Sequence, residues 1–240
     1  MVVLAPTIKT SFTEELETLI EAEKKSLASV TVCFQNRFNH TFIQALKMAK
    51  SEGVESGYFT LLWERDDEYY TESGWRGRYA TEGGGVMINQ AIHSLDQLIM
   101  LLGRPIAVTA TKSNHKHKSS IEVEDTCEGM IEFEGGIFAS FYATTAFTAS
   151  SKTTVYIKTK KHKIEFATSR LYVDNELLID TKRTGFIGKE VYGDGHEIII
   201  KKFYEAIEKG SEMPVTIESA GWALRVLLAA YKSNDTRVEI

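Results

Sequence analysis

A histidine and an asparagine four residues apart carry the strongest indication of chemistry in this sequence. His93 and Asn89 lie in the stretch 83–103, GGGVMINQAIHSLDQLIMLLG. At 100° per residue its polar side chains fall on one face and its apolar ones on the other, which predicts an amphipathic helix. His93 and Asn89 are neighbours on that helix and can bind one small polar ligand together. An imidazole titrates near neutral pH and can move a hydroxyl proton. The alternative is that this polar stripe is only a solvent face.

Glycines bound the predicted helix at both ends. Gly83, Gly84 and Gly85 precede it and leave room for the close approach of another backbone or a ligand. Gly103, followed by Pro105, supplies a stop signal. The spacing therefore predicts a helix over 84–102.

The remaining hydrophobic patterns predict an α+β fold. Further helices are expected at 12–25, 39–51, 196–209 and 217–232, and strands at 30–34, 106–111, 126–133, 137–145, 153–159, 163–167 and 171–179, the last with a hairpin turn at Asp174-Asn175. Consecutive strands with short turns favour an antiparallel meander, giving an open, largely antiparallel sheet with helices on one face. The other face presents the row of Phe138, Ser140 and Tyr142, or that of Ile137, Ala139 and Phe141, to a second sheet, which favours a homodimer through the open face.

Composition excludes some classes of function. Lys and Arg total 28 against 33 Asp and Glu, a formal net charge of -5, which argues against a nucleic-acid binder because phosphate contacts need a concentrated basic surface. No run approaches the roughly 18 apolar residues of a membrane span, so we expect no membrane partner and a cytoplasmic location. Cys33 and Cys127 lie in apolar segments without a CxxC partner, which favours buried free thiols over a disulfide.

Two histidines in the basic run 112–118 form an H-x-H pair. His115 and His117 would point to the same side of a strand, as two zinc ligands can. No third histidine, cysteine or close carboxylate completes a set at a familiar spacing, so we expect no metal. The run is short, is flanked by serines and lacks interleaved aromatics, and it is interpreted as a solvated loop between strands.

Several strings share the order and spacing of one family. They are WRG at 75–77, EGGG at 82–85, NQAIHSLD at 89–96, FQNRFN at 34–39, VEDT at 123–126, YGDGHE at 192–197 with FYEAI at 203–207, and the segment 216–240. Together they resemble the Gfo/Idh/MocA family, the glucose-fructose oxidoreductase and inositol dehydrogenase group. The resemblance covers nearly the whole chain, and it is more specific than a lone triple glycine because several motifs keep one order.

The resemblance implies hydride transfer between a nicotinamide ring and a carbon of a small sugar or polyol, with NAD or NADP as the cofactor of complete members. It implies His93 as the group that moves the hydroxyl proton and Asn89 as a group that orients the substrate. It also implies a substrate pocket lined by Arg37, Trp75, Arg76 and His196. Each of these has a structural alternative, such as Arg37 pairing a carboxylate or Trp75 filling core.

Complete members of this family begin with a Rossmann domain, whereas this sequence has no G-x-G-x-x-G between a strand and a helix. We therefore expect residues 1–36 to be the last helix and strand of a nucleotide-binding domain, and residues 37–240 to be a substrate-binding and oligomerisation domain. The strand at 30–34 would then expose an apolar edge. We expect this region to be mobile, refolded or buried in an oligomer contact.

The family's Glu-Lys-Pro motif, whose lysine works beside the histidine, aligns with Leu4-Ala5-Pro6. The lysine position is thus Ala5, and Pro6 could still make the family's turn. Two functions follow. The chain is the substrate-binding and dimerising portion of an NAD(P)-dependent sugar or polyol dehydrogenase, inactive alone, or it is a stand-alone, non-catalytic dimerising or sugar-binding remnant. Both predict that this chain alone binds no cofactor, and the sequence leaves open whether it is an enzyme.

Overall fold

A nine-stranded mixed sheet organises the chain, in a computed structural model that describes residues 2–5, 13–26, 28–181, 193 and 195–240. The elements in chain order are β1 (Val2–Ala5), α1 (Thr13–Lys25), β2 (Ser29–Val32), α2 (His40–Glu52), β3 (Val54–Leu62), α3 (Asp67–Thr71), α4 (Tyr79–Glu82), α5 (Ile92–Leu102), β4 (Pro105–Ser113), β5 (Thr126–Phe133), β6 (Ile137–Thr144), β7 (Thr154–Thr159), β8 (Lys163–Phe166), β9 (Arg170–Val173), β10 (Glu176–Asp180), α6 (Gly195–Lys209), α7 (Ile217–Ser233) and β11 (Val238–Glu239). A 3-10 turn at Gln35–Phe38, here the junction turn, precedes α2, and a π turn at Met87–Ala91 leads into α5.

The strand order in the large sheet is β10-β9-β8-β7-β3-β6-β5-β4-β11. All neighbours are antiparallel except β3 and β6, which run parallel. The α+β class and the predicted strands beyond residue 104 are confirmed, including the hairpin turn, where Asp174 and Asn175 both have positive φ. The uninterrupted meander is wrong, because β3 lies between β6 and β7. Sequence analysis missed β3, whose first half contains Glu55 and Gly57 and lacks the alternation that marks its second half.

Helices cover one face of this sheet, as predicted. Ala139, Phe141 and Ala143 of β6 are buried beneath them, where α5 packs on β3 and β7 and α7 packs on β4. The alternate row of β6 faces away from the helices, and Phe138 is 49% exposed. Of the two rows that the sequence left open, the structure therefore buries the Phe141 row and exposes the Phe138 row.

The amino-terminal elements pack onto the same core. β1 and β2 pair in parallel through the crossover helix α1, as a separate two-stranded sheet. The Thr31 hydroxyl donates a hydrogen bond to the Val215 carbonyl at 3.0 Å, and Leu16 and Ile20 of α1 join the main hydrophobic cluster. The edge of β2 expected to lack an internal partner is thus paired within the chain. The domain boundary at residue 36 stays a prediction, and Pro6 lies outside the described residues.

A buried carboxylate holds the start of the helix that carries His93. Glu124 accepts hydrogen bonds from the backbone N–H of Gly85 at 2.9 Å and of Met87 at 3.2 Å, and from the Tyr231 hydroxyl at 2.6 Å. These bonds satisfy donors that a helix start would otherwise leave unpaired. A Cβ on Gly85 would lie 1.8 Å from the Glu124 carbonyl oxygen, so a glycine is required at this close approach.

Gly85→Ala should destabilise the fold by about 2 kcal/mol or more, because the added methyl group forces the helix start away from Glu124. The matched control is Gly74→Ala, where a Cβ would meet no atom within 4 Å. Urea unfolding of both variants measures the difference. Equal stabilities of the two variants would contradict the close approach.

Candidate active site

A cavity of about 320 Å³ opens beside the helix that carries His93. One wall is the junction turn with Asn39, a second is the π turn with the first turns of α5, and a third comes from residues 63–76. Residues 153–155 and 166–168 complete the lining. Ligand pockets are commonly of this size or larger, so the cavity suits a small molecule such as a monosaccharide.

His93 reaches the cavity from the first turn of α5. Its Nδ1 is buried and has no hydrogen-bond partner among the described residues, and its ring contacts Phe34 edge-on with centroids 5.5 Å apart. Burial, together with a smaller contribution from the nearby His196, lowers the pKa of His93 to about 4. The imidazole is therefore neutral at physiological pH and able to accept a proton.

Asn89 faces the same cavity from the π turn, and a buried carboxylate orients it. Its Nδ2 donates a short hydrogen bond to Oε1 of Glu82, whose Oε2 accepts from the backbone N–H of Gly77 at 2.6 Å. Glu82 is 1% exposed. Sequence analysis quoted Glu82 within the EGGG string but did not propose it as a site residue, because nothing local shows that its side chain turns towards Asn89. π turns inside helices occur frequently at functional sites.

Arg37 points away from the cavity into a buried ion pair. Its Nε donates to Oδ2 of Asp96 at 2.8 Å and its Nη2 to Oδ1 at 2.5 Å. The two side chains are 7% and 3% exposed, and Nη1 of Arg37 also donates to the Ser219 hydroxyl at 2.6 Å. Arg37 is not among the described residues that line the cavity, and the carboxylate-pairing alternative describes its geometry.

Of the other three pocket residues that the resemblance implied, Arg76 contacts the cavity, whereas Trp75 and His196 lie outside its described lining. Trp75 stacks on Arg76, with the guanidinium carbon 4.9 Å from the ring centroid, but it is 40% exposed, fills no core and lies outside the described lining. His196 lies at the start of α6, where Gly195 N–H donates to Oδ1 of Asn39 at 2.9 Å. Among the described residues it also lies outside the lining, and burial lowers its own pKa.

Amide side chains that sequence analysis did not select make up much of the lining. They are Gln35, Asn36, Asn39, Gln90 and Gln97. Gln97 donates to the Asn36 carbonyl at 3.2 Å, and Oε1 of Gln90 is buried without a partner among the described residues. An amide both donates and accepts hydrogen bonds, so this lining suits a ligand with several hydroxyl groups. The sequence feature that could have predicted this lining is the concentration of Asn and Gln in residues 35–39 and on the polar face of the predicted helix.

The two histidines of the H-x-H pair have different hydrogen-bond partners in the structure. His115 is hydrogen-bonded to the Ser113 hydroxyl at 2.8 Å, whereas His117 Nδ1 lies 2.8 Å from Oδ1 of Asp67. Among the described residues, no group of three or more His, Cys, Asp or Glu side chains could hold a metal ion. The interpretation of 112–118 as a solvated loop is wrong for His117, which is fully buried because Asp125 accepts the backbone N–H groups of residues 115–117.

Two further expectations concern the whole chain. Both cysteines are free, with Cys127 buried and Cys33 half-buried, and burial raises the pKa of each thiol. Within the described residues, no helix combines the length and the apolar character that crossing a bilayer requires.

Comparison with known proteins gives the family. Residues 54–165 match the model of the GFO/IDH/MocA C-terminal domain. The WlbA dehydrogenase of Chromobacterium violaceum, solved in complex with NADH and UDP-GlcNAcA, superposes with a TM-score of 0.86 at 22% identity, over 100% of this chain and 71% of the other. The aldose-aldose oxidoreductase of Caulobacter crescentus, complexed with glycerol, gives 0.80 at 22% identity over the same shares. Levoglucosan dehydrogenase with NADH and L-sorbose gives 0.81 at 21%, over 100% and 72%. No curated protein sequence matches the chain.

The sheet and its helix layer thus have the fold of the C-terminal domain of these proteins. Residues 54–165 carry the GFO/IDH/MocA C-terminal domain, which confirms the resemblance that the motifs carried. At identities near 22% the solved structures show a shared fold and nothing about the substrate.

Acid should destabilise the protein through His93. Its folded-state pKa of about 4 lies below the value of about 6.5 expected when unfolded, so only the unfolded form protonates readily between these values. Stability is complete above about pH 6.5 and falls as the pH drops towards 4. Urea unfolding of wild type should lose about 2 kcal/mol through this group by pH 4.5, and His93→Phe should remove most of that loss.

The control for this comparison is His115→Phe, at an exposed histidine outside the cavity. It should keep the acid sensitivity of wild type. The same pH dependence in wild type and His93→Phe would show that His93 is not the responsible group.

Proposed function

We propose that this polypeptide is the substrate-binding and dimerising part of an NAD(P)-dependent sugar or polyol dehydrogenase, and that it is inactive alone. The observation that carries the proposal is the placement of a neutral His93, whose Nδ1 has no hydrogen-bond partner among the described residues, in a cavity lined by amides. A solvent-facing polar stripe, the alternative considered from the sequence, would not place these groups around one cavity.

The chemistry proposed for His93 is proton transfer at a substrate hydroxyl. Oxidation of a hydroxyl to a carbonyl releases the hydroxyl proton, and an unprotonated imidazole within hydrogen-bond reach can accept it. Asn89 is fixed through its Nδ2 by Glu82, which leaves its Oδ1 to accept a hydrogen bond from a substrate hydroxyl. Glu82 is therefore proposed as a positioning residue for Asn89.

The hydride acceptor does not fit within these residues. A dinucleotide site needs a glycine-rich turn between a strand and a helix, and the segment 6–12 between β1 and α1 reads PTIKTSF, without a glycine. Relatives of known structure were solved with NADH. The proposal is accordingly that turnover requires a nucleotide-binding domain supplied by another segment or another polypeptide.

One observation favours the second candidate function, a stand-alone sugar-binding or dimerising protein without catalysis. The position aligned with the family's lysine is Ala5. Both candidates share the sugar site and differ in whether adding a nucleotide domain produces turnover.

Calorimetric titration with glucose, sorbitol and inositol tests the shared site. At least one should bind saturably, and His93→Phe and Asn89→Leu should weaken binding at least tenfold because each removes a hydrogen-bonding group from the cavity. His115→Phe, outside the cavity, should bind like wild type. Fluorescence titration with NADH should give no saturable change. Failure of all three ligands would contradict the sugar site, and micromolar NADH binding would contradict the need for another domain.

The dimer belongs to the same proposal. The face of the sheet that the helices leave uncovered carries Met130 and Phe138, both 49% exposed, beside Tyr142. Large apolar side chains grouped on an open sheet face are typical of an interface. The cytoplasmic location inferred from the sequence is also part of the proposal.

Phe138→Glu should shift the protein from dimer to monomer, because it places a charge in the centre of the proposed interface. Tyr204→Glu is the matched control, since Tyr204 is 60% exposed on α6, a helix that packs on the junction turn. Sedimentation velocity at micromolar concentration reads the result. A monomeric wild type, or equal dissociation of both variants, would contradict this interface.

A further inference from the structure

Two arginines and three aromatic rings form a stacked series along one wall of the cavity. The guanidinium carbon of Arg65 lies 4.8 Å from the ring centroid of Trp63 and 4.9 Å from that of Tyr69. The guanidinium carbon of Arg76 lies 4.2 Å from the Tyr69 centroid and 4.9 Å from that of Trp75. Both arginines line the cavity, and the rings restrict the positions of both guanidinium groups.

Within the part of the chain that the structure describes, these two arginines have no carboxylate partner, whereas every other described arginine has one. The paired ones are Arg37 with Asp96, Arg78 with Glu122, Arg104 with Glu134, Arg170 with Asp180, Arg225 with Glu17 and Arg237 with Glu132. Arg65 and Arg76 instead donate to carbonyl oxygens, those of Glu64 at 2.7 Å and Tyr69 at 3.4 Å. The Nε of each is buried with no hydrogen-bond partner among the described residues.

Three nearby acidic side chains bind other partners. Asp66 accepts the backbone N–H of Tyr69 at the start of α3, Asp67 pairs with His117, and Glu82 binds Asn89 and Gly77. Lys116 adds a further positive charge, since its Nζ donates to the Arg65 carbonyl at 2.9 Å. Among the described residues, the two guanidinium groups of this wall therefore have no carboxylate partner. Buried N–H donors without acceptors are costly, and an anionic ligand would supply the acceptors.

We infer that the cavity takes an anionic sugar derivative, with a carboxylate or phosphate contacting the Arg65 and Arg76 guanidinium groups. The inference rests on the proposed function, whose sugar hydroxyls would meet the amides around His93. A guanidinium presents planar, paired donors that match a carboxylate or a phosphate, and its charge persists at all physiological pH values. A neutral sugar would leave both guanidinium groups unpaired, which makes this wall a determinant of specificity.

Calorimetric titration at low ionic strength with glucose, glucuronate and glucose 6-phosphate tests the inference. The anionic sugars should bind at least tenfold more tightly than glucose, and 0.5 M NaCl should reduce that advantage because salt screens the charges. Arg65→Gln and Arg76→Gln should each cut the advantage to less than threefold. Arg78→Gln is the control, since Arg78 is exposed and pairs with Glu122. Circular dichroism verifies that each variant is folded.

A second readout uses inorganic phosphate alone. Phosphate should shift the NMR signals of the Arg65 and Arg76 Nε–H groups in the folded wild-type chain, so this readout does not depend on a variant that folds. Equal binding of glucose and the anionic sugars would overturn the inference and leave the proposed function standing. Loss of the advantage in Arg78→Gln to the same degree would also overturn it. Phosphate shifts at both arginines without binding of any sugar would support the anion site and contradict the proposed function.

Discussion

The ion pair between Arg37 and Asp96 is the constraint on which the geometry of the cavity depends. Its guanidinium joins three segments that are distant in sequence: the junction turn, α5 through Asp96, and α7 through Ser219. Asp96 lies three residues after His93 on the same helix, so the bond that holds Asp96 also sets the rotation of His93 towards the cavity. A lone buried charge is strongly destabilising, so each partner requires the other. Glu124 fixes the opposite end of this helical segment, and His93 lies between two buried anchors.

Local periodicity predicted most of the elements, because the spacing of apolar residues in an amphipathic helix or an alternating strand indicates which face is buried. The helices α2, α6 and α7 and strands β4 to β10 were found in this way. β3 was missed because its first half, which contains Glu55 and Gly57, shows no such alternation. Its neighbours in the sheet, β6 and β7, are also distant from it in sequence. The π turn was missed because a wheel drawn at 100° per residue assumes a regular α-helix throughout.

The candidate site was predictable only in part. The placement of His93 and Asn89 in one cavity follows from helical spacing. Arg37 instead lies outside the cavity because it pairs with Asp96, and the sequence does not show that these two residues are close together. Arg65 and Tyr69 lie among four acidic residues in 64–68, a composition that indicates an ordinary solvated surface. Only the fold reveals that Asp66 and Asp67 bind other partners. Of the residues carried over from the family resemblance, those on the His93 helix and Arg76 reach the cavity, and Trp75 and His196 are not among the described residues that line it.

The position of β3 has a consequence for how this chain reaches its native state. β3 forms its ladders only with β6 and β7, which follow it in sequence by α5, β4 and β5. During synthesis, β3 therefore has no ladder partner until β6 and β7 have emerged from the ribosome. Such high contact order slows folding and prolongs exposure of an apolar strand to other chains. The ladders that β3 forms with β6 and β7 can therefore form only after both of those strands have been synthesised, which makes the centre of the sheet a region that a chaperone could protect.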